Sequence, residues 1–176
     1  MNKNLLRSLL VFLLFAGAVS CSENGAKQAE NTDKPATETT APAYDGFVLN
    51  IISSTPQNKD ITAALKAEAA KAKAKGMKPF VFFHASWCGP CKQLIKNLKN
   101  PLMTGAFKGN YIVEVDTDEW GEEIQRVKCP VNSIPAFCRV EDDGSINSQS
   151  LTDASQWDVT NPETAAPVLK AYFAGH

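Results

Sequence analysis

The chain has 176 residues, with 18 Lys and Arg against 19 Asp and Glu, giving a formal net charge of -1 at pH 7. That balance, without a basic stripe, excludes a nucleic-acid binder held by phosphate contacts. The length suits one domain with appendages rather than two domains.

Taken in chain order, residues 1–20 have the layout of a secretory signal. Lys3 and Arg7 precede an apolar run over 9–19 that is short for a bilayer span and is followed by small residues. Export is the expectation. Ala18-Val19-Ser20-Cys21 resembles a bacterial lipoprotein box, which implies a mature chain beginning at a lipidated Cys21, although Ala18 stands where such boxes usually have Leu. The alternative is an ordinary signal-peptidase site that leaves Cys21 as a free thiol. An unpaired terminal thiol is a liability in an oxidising compartment, so the lipid-anchored form is the expectation. From 22 to 43 the chain is rich in Ala, Thr, Glu, Asn, Lys and Pro and has no aromatic residue. Such a composition buries too little surface to offset ordering, so 21–44 reads as a disordered tether before a folded domain over 45–176.

The apolar run at 47–52 predicts a strand, and 53–60 is polar and turn-rich around Pro56. Over 61–75, Ile61, Leu65 and Ala69 recur at helical spacing, the lysines form a solvated face, and Gly76 is the stop. Phe80-Val81-Phe82-Phe83 is apolar at every position, as a central strand covered on both sides requires. Ser86-Trp87-Cys88-Gly89-Pro90-Cys91 follows directly, then a helix predicted over 92–100 with Pro101 as a stop or kink. A strand at 111–116 and a short helix at 119–127 come next. A hairpin joins 135–140 to 145–151 through Asp142-Asp143-Gly144, where Asp-Gly favours positive φ at both turn residues. An amphipathic helix over 162–173 closes the chain.

The dithiol therefore sits at a strand-to-helix junction. A helix start favours a thiolate, because unpaired backbone N–H groups and the positive end of the helix dipole both stabilise negative charge. Cys88 is the candidate nucleophile, and Cys91, one turn further on the same face, is placed to attack a mixed disulfide formed at Cys88. Gly89 permits a tight turn, and Pro90 fits the first helical turn, where a missing N–H costs nothing. Lys92 rather than His after Cys91 sets aside covalent haem attachment.

Trp87 to Cys91, read as Trp-Cys-Gly-Pro-Cys, resembles the signature of the thioredoxin family, and Ile134-Pro135 looks like that family's cis-proline loop. The resemblance implies a thioredoxin-like three-layer α/β/α domain with a central mixed sheet, which the predicted order β-α-β-α-β-α-β-β-α fits. It also implies thiol–disulfide exchange with no cofactor beyond a redox-active Cys88–Cys91 disulfide and no metal. By the same resemblance Trp87 flanks the nucleophile, Pro135 is cis and keeps other groups off the sulfurs, and the Ile134 backbone pairs with an extended substrate segment.

Two positions depart from the family. A buried acid is usual on the strand before the dithiol, but Phe82 stands there. Glu114 falls where the family has a lysine, and it is the candidate proton acceptor for Cys91; the competing reading is a solvated acid between Val113 and Val115. His84 is either a packed histidine or an imidazolium that lowers the Cys88 pKa. Cys129 and Cys138 read as a disulfide, structural or relaying, or Cys138 is a small hydrophobe inside a strand. A zinc site shared with Cys88 and Cys91 has the wrong spacing for a knuckle.

The function expected is a thiol–disulfide oxidoreductase of the periplasm or cell envelope. It reduces disulfides of exported proteins and is supplied by a membrane electron donor, with no nucleic-acid partner. The alternatives are an oxidase or isomerase using the same residues, and a lipid-anchored binding module without redox turnover.

Overall fold

Residues 44–176 are described by the computed structural model. The predicted signal segment, Cys21 and nearly all of the predicted tether lie outside them. In chain order the elements are β1 (Val48–Ile52), α1 (Ile61–Ala74), β2 (Lys78–His84), α2 (Gly89–Asn97), α3 (Pro101–Phe107) and β3 (Asn110–Asp116). They continue with α4 (Thr117–Trp120), α5 (Glu123–Arg126), β4 (Ala136–Val140), β5 (Ile146–Asp153) and α6 (Pro162–Gly175).

The strands form one sheet in the order β1-β3-β2-β4-β5. β1 and β2 each pair parallel with β3, whereas β2–β4 and β4–β5 are antiparallel. The mixed sheet of a thioredoxin-like α/β fold is therefore present. β2 lies at its centre because each of its apolar side chains has a layer to enter. Phe80 and Phe82 join a cluster with Leu94 of α2, Met103 of α3 and Leu169 of α6, while Val81 and Phe83 pack with Ile61 and Leu65 of α1 and Trp120 of α4. Alternation along a strand sends successive side chains to opposite faces, so an unbroken apolar run requires cover on both.

α1 shows how a charged sequence still yields a core helix. Asp60 caps it by accepting from the Ala63 N–H at 3.0 Å. Glu68 is buried rather than solvated, and its carboxylate accepts from Asn50 Nδ2 at 2.8 Å, from the Tyr111 hydroxyl at 2.7 Å and from Lys71 Nζ at 3.0 Å.

Three local expectations are corrected. Pro101 does not merely end a helix: it opens α3, with the Asn100 side chain accepting from the Leu102 N–H at 2.9 Å. The helix expected over 119–127 is two short segments, α4 and α5, parted by Gly121 at φ 44°. The hairpin is not a two-residue Asp-Gly turn with both residues at positive φ. Gly144 alone has positive φ, 87°, and the Gly144 N–H donates to the Glu141 carbonyl at 2.9 Å while the Glu141 N–H donates to the Ser145 carbonyl at 2.9 Å. That is a three-residue loop ending in a left-handed glycine.

Gly144 also presses on α1. A Cβ there would lie 2.2 Å from the Thr62 carbonyl oxygen and 2.7 Å from the Lys66 nitrogen, both backbone atoms. Gly144→Ala is expected to destabilise the domain by about 2 kcal/mol, from the left-handed backbone and the forced retreat of the hairpin from α1. Urea unfolding measures it, and an unchanged midpoint would contradict it.

Candidate active site

The end of β2 delivers the chain into a tight turn in which the Cys88 N–H donates to the Ala85 carbonyl at 3.0 Å. Cys88 is then the N-cap of α2, with extended φ and ψ of -70° and 105°. Its Sγ accepts from the Cys91 N–H at 3.1 Å, the place an Asp or Ser oxygen usually fills. The contact directs one of the unpaired N–H groups of the first turn at the Cys88 sulfur, an arrangement that stabilises negative charge on a sulfur at a helix start. Pro90 lies in that turn, where its missing N–H leaves no bond unmade. Gly89 is not needed for the turn, since its φ is not positive and a Cβ there would meet nothing within 4 Å.

Cys88 and Cys91 are joined by a disulfide, with Cα atoms 5.3 Å apart. Both are buried, at 3% and 1% exposure. Trp87 beside it is 68% exposed, and its Nε1 donates to Asp118 Oδ2 at 2.6 Å. Asp118 is a member of the site that sequence reasoning missed. It reaches Trp87 because Asp116, at the end of β3, caps α4 by accepting from the Asp118 and Glu119 N–H groups at 2.9 and 3.3 Å.

Opposite the dithiol, the Ile134–Pro135 peptide bond is cis and the Ile134 carbonyl oxygen lies 3.8 Å from Cys88 Sγ. The Pro135 carbonyl accepts from the Ala154 N–H at 3.0 Å, which fastens the loop to the end of β5. Beside it a cleft of about 200 Å³ opens between Thr117, Gly121 and Ile124 on one wall and Val131, Ser133 and Ile134 on the other. Trp87, Cys88, Gly89, Pro90, Cys91, Ile134 and Pro135 are thus brought together.

Glu114 lies on the dithiol side of the sheet. It pairs in register with Phe82, which packs in the same cluster as Cys88 and Cys91. The competing reading of a solvated acid is set aside: Glu114 is 5% exposed, on a strand enclosed between β1 and β2. Burial, with repulsion from Asp116 second, pushes its carboxyl up to about 7. His84 Nε2 lies 3.1 Å from Glu114 Oε1, yet it has no hydrogen-bond partner, so the contact is close but not aligned. Burial also pushes the His84 pKa down, against the attraction of Asp116 and Glu119 and a backbone bond at Ala85. His84 therefore belongs with the packed aromatics, its ring stacked 5.4 Å from Phe82.

Cys129 and Cys138 are free thiols on the other face of the sheet, in the cluster with Val81, with their Sγ atoms 2.7 Å apart. The Cys88–Cys91 pair belongs to the opposite cluster, so four cysteines do not converge on one point. Among the described residues no group of three or more His, Cys, Asp or Glu is placed to hold a metal ion.

Comparison with known proteins agrees with this arrangement. The profile of the family described as Thioredoxin matches residues 61–159. The chain is similar to a thioredoxin H-type of Oryza sativa subsp. indica, 32% identical over 48% of this chain and 64% of that protein. It is also similar to thioredoxin-1 of Drosophila melanogaster, 34% identical over 31% of this chain and 49% of that protein. The chain thus spans about half to two thirds of the length of these relatives. Among solved structures, the disulphide isomerase from Xylella fastidiosa Temecula1 is similar at 21% identity and a TM-score of 0.48, covering 70% of this chain and 96% of that one. With more than half of its 176 residues matched by the family profile and its cysteine pair facing a cis-proline loop, the chain belongs to the thioredoxin family.

Proposed function

We propose that the chain is a thiol–disulfide oxidoreductase of the cell envelope that reduces disulfides of exported proteins. The observation that carries this reading is the Cys88–Cys91 disulfide at the start of α2, with Cys88 Sγ 3.8 Å from the Ile134 carbonyl. In the reduced enzyme the Cys88 thiolate attacks one sulfur of the substrate disulfide. A Cys88–substrate bond forms, the substrate bond breaks, and the departing sulfur takes up a proton. Cys91 then attacks Cys88 Sγ, releases the second substrate sulfur as a thiol and closes the Cys88–Cys91 bond. Glu114 is the proposed acceptor of the Cys91 proton, because a carboxyl poised near 7 is matched to that transfer at neutral pH. Trp87, held by Asp118, limits water at the sulfurs, and the Ile134 backbone aligns an extended substrate segment beside Pro135.

The envelope location rests on the signal-like residues 1–20 and on Cys21 as a lipid anchor, and a membrane donor of electrons completes the cycle. No cofactor beyond the disulfide itself enters the scheme. Reduction of insulin disulfides by the full chain with dithiothreitol tests the activity. Turnover well above the dithiothreitol background is expected, and turnover at background overturns the reading. The same residues run in reverse give an oxidase or isomerase, and the reduction potential of the Cys88–Cys91 pair decides the direction. Membrane fractionation of the full chain against Cys21→Ala tests the anchor, with loss of membrane association expected in the variant.

A further inference from the structure

Sγ atoms of Cys129 and Cys138 sit 2.7 Å apart in the core layer that the dithiol chemistry does not use. Cys138 lies mid-strand in β4, opposite Val81 of β2, and Cys129 lies in the segment between α5 and β4. The backbone aims Cys129 inward at some cost: Lys128, just before it, adopts φ 53°, a left-handed conformation that a lysine holds only when its surroundings demand it. After Cys129 the chain turns back at once, with the Val131 N–H donating to the Cys129 carbonyl at 2.8 Å. The eight residues between the two cysteines include Val131, Ser133 and Ile134 on the cleft wall, and Ile134 is the residue that faces Cys88.

We propose that Cys129 and Cys138 form a second thiol-oxidation site, whose disulfide ties the 130–137 segment back onto β4 and so fixes the loop facing Cys88. A sulfur–sulfur bond needs the two atoms to close by only about 0.7 Å. The site works independently of Cys88–Cys91, because the sheet separates the two pairs and forbids direct exchange within one molecule. Its oxidant is a low-molecular-weight disulfide. The Cys129 thiolate attacks one sulfur of that disulfide; a Cys129–S bond forms, the small disulfide bond breaks, and the departing thiolate takes up a proton. Cys138 then loses its proton and attacks Cys129 Sγ, expelling the second small thiol. Two protein thiols are oxidised by two electrons and one small disulfide is reduced to two thiols.

The order of attack follows from the structure. Cys129 is nearer the surface, whereas Cys138 is wholly enclosed. The hydrogen bond between the two sulfurs pushes the Cys129 pKa down, while the same bond and burial push the Cys138 thiol up. The proposal holds whatever the direction or substrate of the Cys88–Cys91 pair.

The test uses the full chain carrying Cys88→Ser and Cys91→Ser, incubated with oxidised glutathione, alkylated and digested with trypsin. The fragment 129–139 contains both cysteines and no other. Its alkylated thiols are expected to fall from two to none, with a mass about 2 Da below that of the unmodified dithiol. Two alkyl groups throughout, or a lone glutathione adduct, would overturn the site. With Cys138→Ala added, the glutathione adduct should accumulate on Cys129, and its absence would overturn the proposed order of attack. Amide hydrogen exchange over 130–137 should slow by about tenfold on oxidation, and unchanged exchange would overturn the clamping role.

Discussion

Cys88→Ser is expected to lower insulin-disulfide reduction by about 10³-fold or more, whereas Cys91→Ser should complete the first attack and then stall. A serine hydroxyl stays protonated at neutral pH, so the N–H of residue 91 and the helix start have no anion to stabilise. The asymmetry between the two variants follows from position. Cys88 is the capping sulfur that faces Ile134, and Cys91 is enclosed one turn further into α2. Incubating Cys91→Ser with a disulfide substrate should leave a covalent adduct on Cys88, seen as a mass increase that dithiothreitol removes. Substantial turnover by Cys88→Ser, or an adduct that forms on another cysteine, would assign the chemistry elsewhere. Retention of partner binding by the double serine variant, with no turnover in the parent chain, would instead leave a binding module.

The second large effect concerns Glu114. Its folded-state pKa of about 7 exceeds its ordinary 4.5, so the folded protein keeps a proton that the unfolded chain has lost at intermediate pH. Because the folded pKa is raised, the stability tied to this carboxyl is fully present below 4.5. It declines as pH rises and is lost once pH passes 7, when a charged carboxylate must be buried. Asp116 faces it with like charge, and the Tyr44 hydroxyl, itself pushed up by burial and by Glu114, offers no positive charge. His84, with its pKa pushed down, supplies no imidazolium at pH 8.

Glu114→Gln removes the charge at nearly constant shape. It is expected to stabilise the domain by about 3 kcal/mol at pH 8, a rise in Tm of about 10 °C, and to change little at pH 4.5. If Glu114 takes the Cys91 proton, the same variant slows the release step about 100-fold and flattens its pH profile around 7. Thermal unfolding at the two pH values, with single-turnover kinetics across pH 6–8, separates the two roles. A gain in stability with unchanged release kinetics removes the proton-acceptor role, and equal stability of the two proteins at pH 8 contradicts the buried charge.

What the sequence determined by itself is local. Trp87 to Cys91 specifies a thiol cap, a proline in the first turn and a second thiol one turn on, all set within a few residues of backbone. The apolar run at β2 likewise declares a strand with two covered faces. What only the tertiary structure decided depends on pairings between distant segments. Glu114 is buried because β3 is flanked by strands on both edges, which its neighbours Val113 and Val115 do not reveal. Asp118 meets Trp87 because α4 follows a strand parallel to β2 and so starts at the same end of the sheet as the dithiol. Cys129 and Cys138 meet on the far face because β4 runs antiparallel beside β2 and the preceding loop folds back over it. Residue types fix what a group can do, but strand order and register fix what it stands beside, and neither is encoded within any single window of the chain.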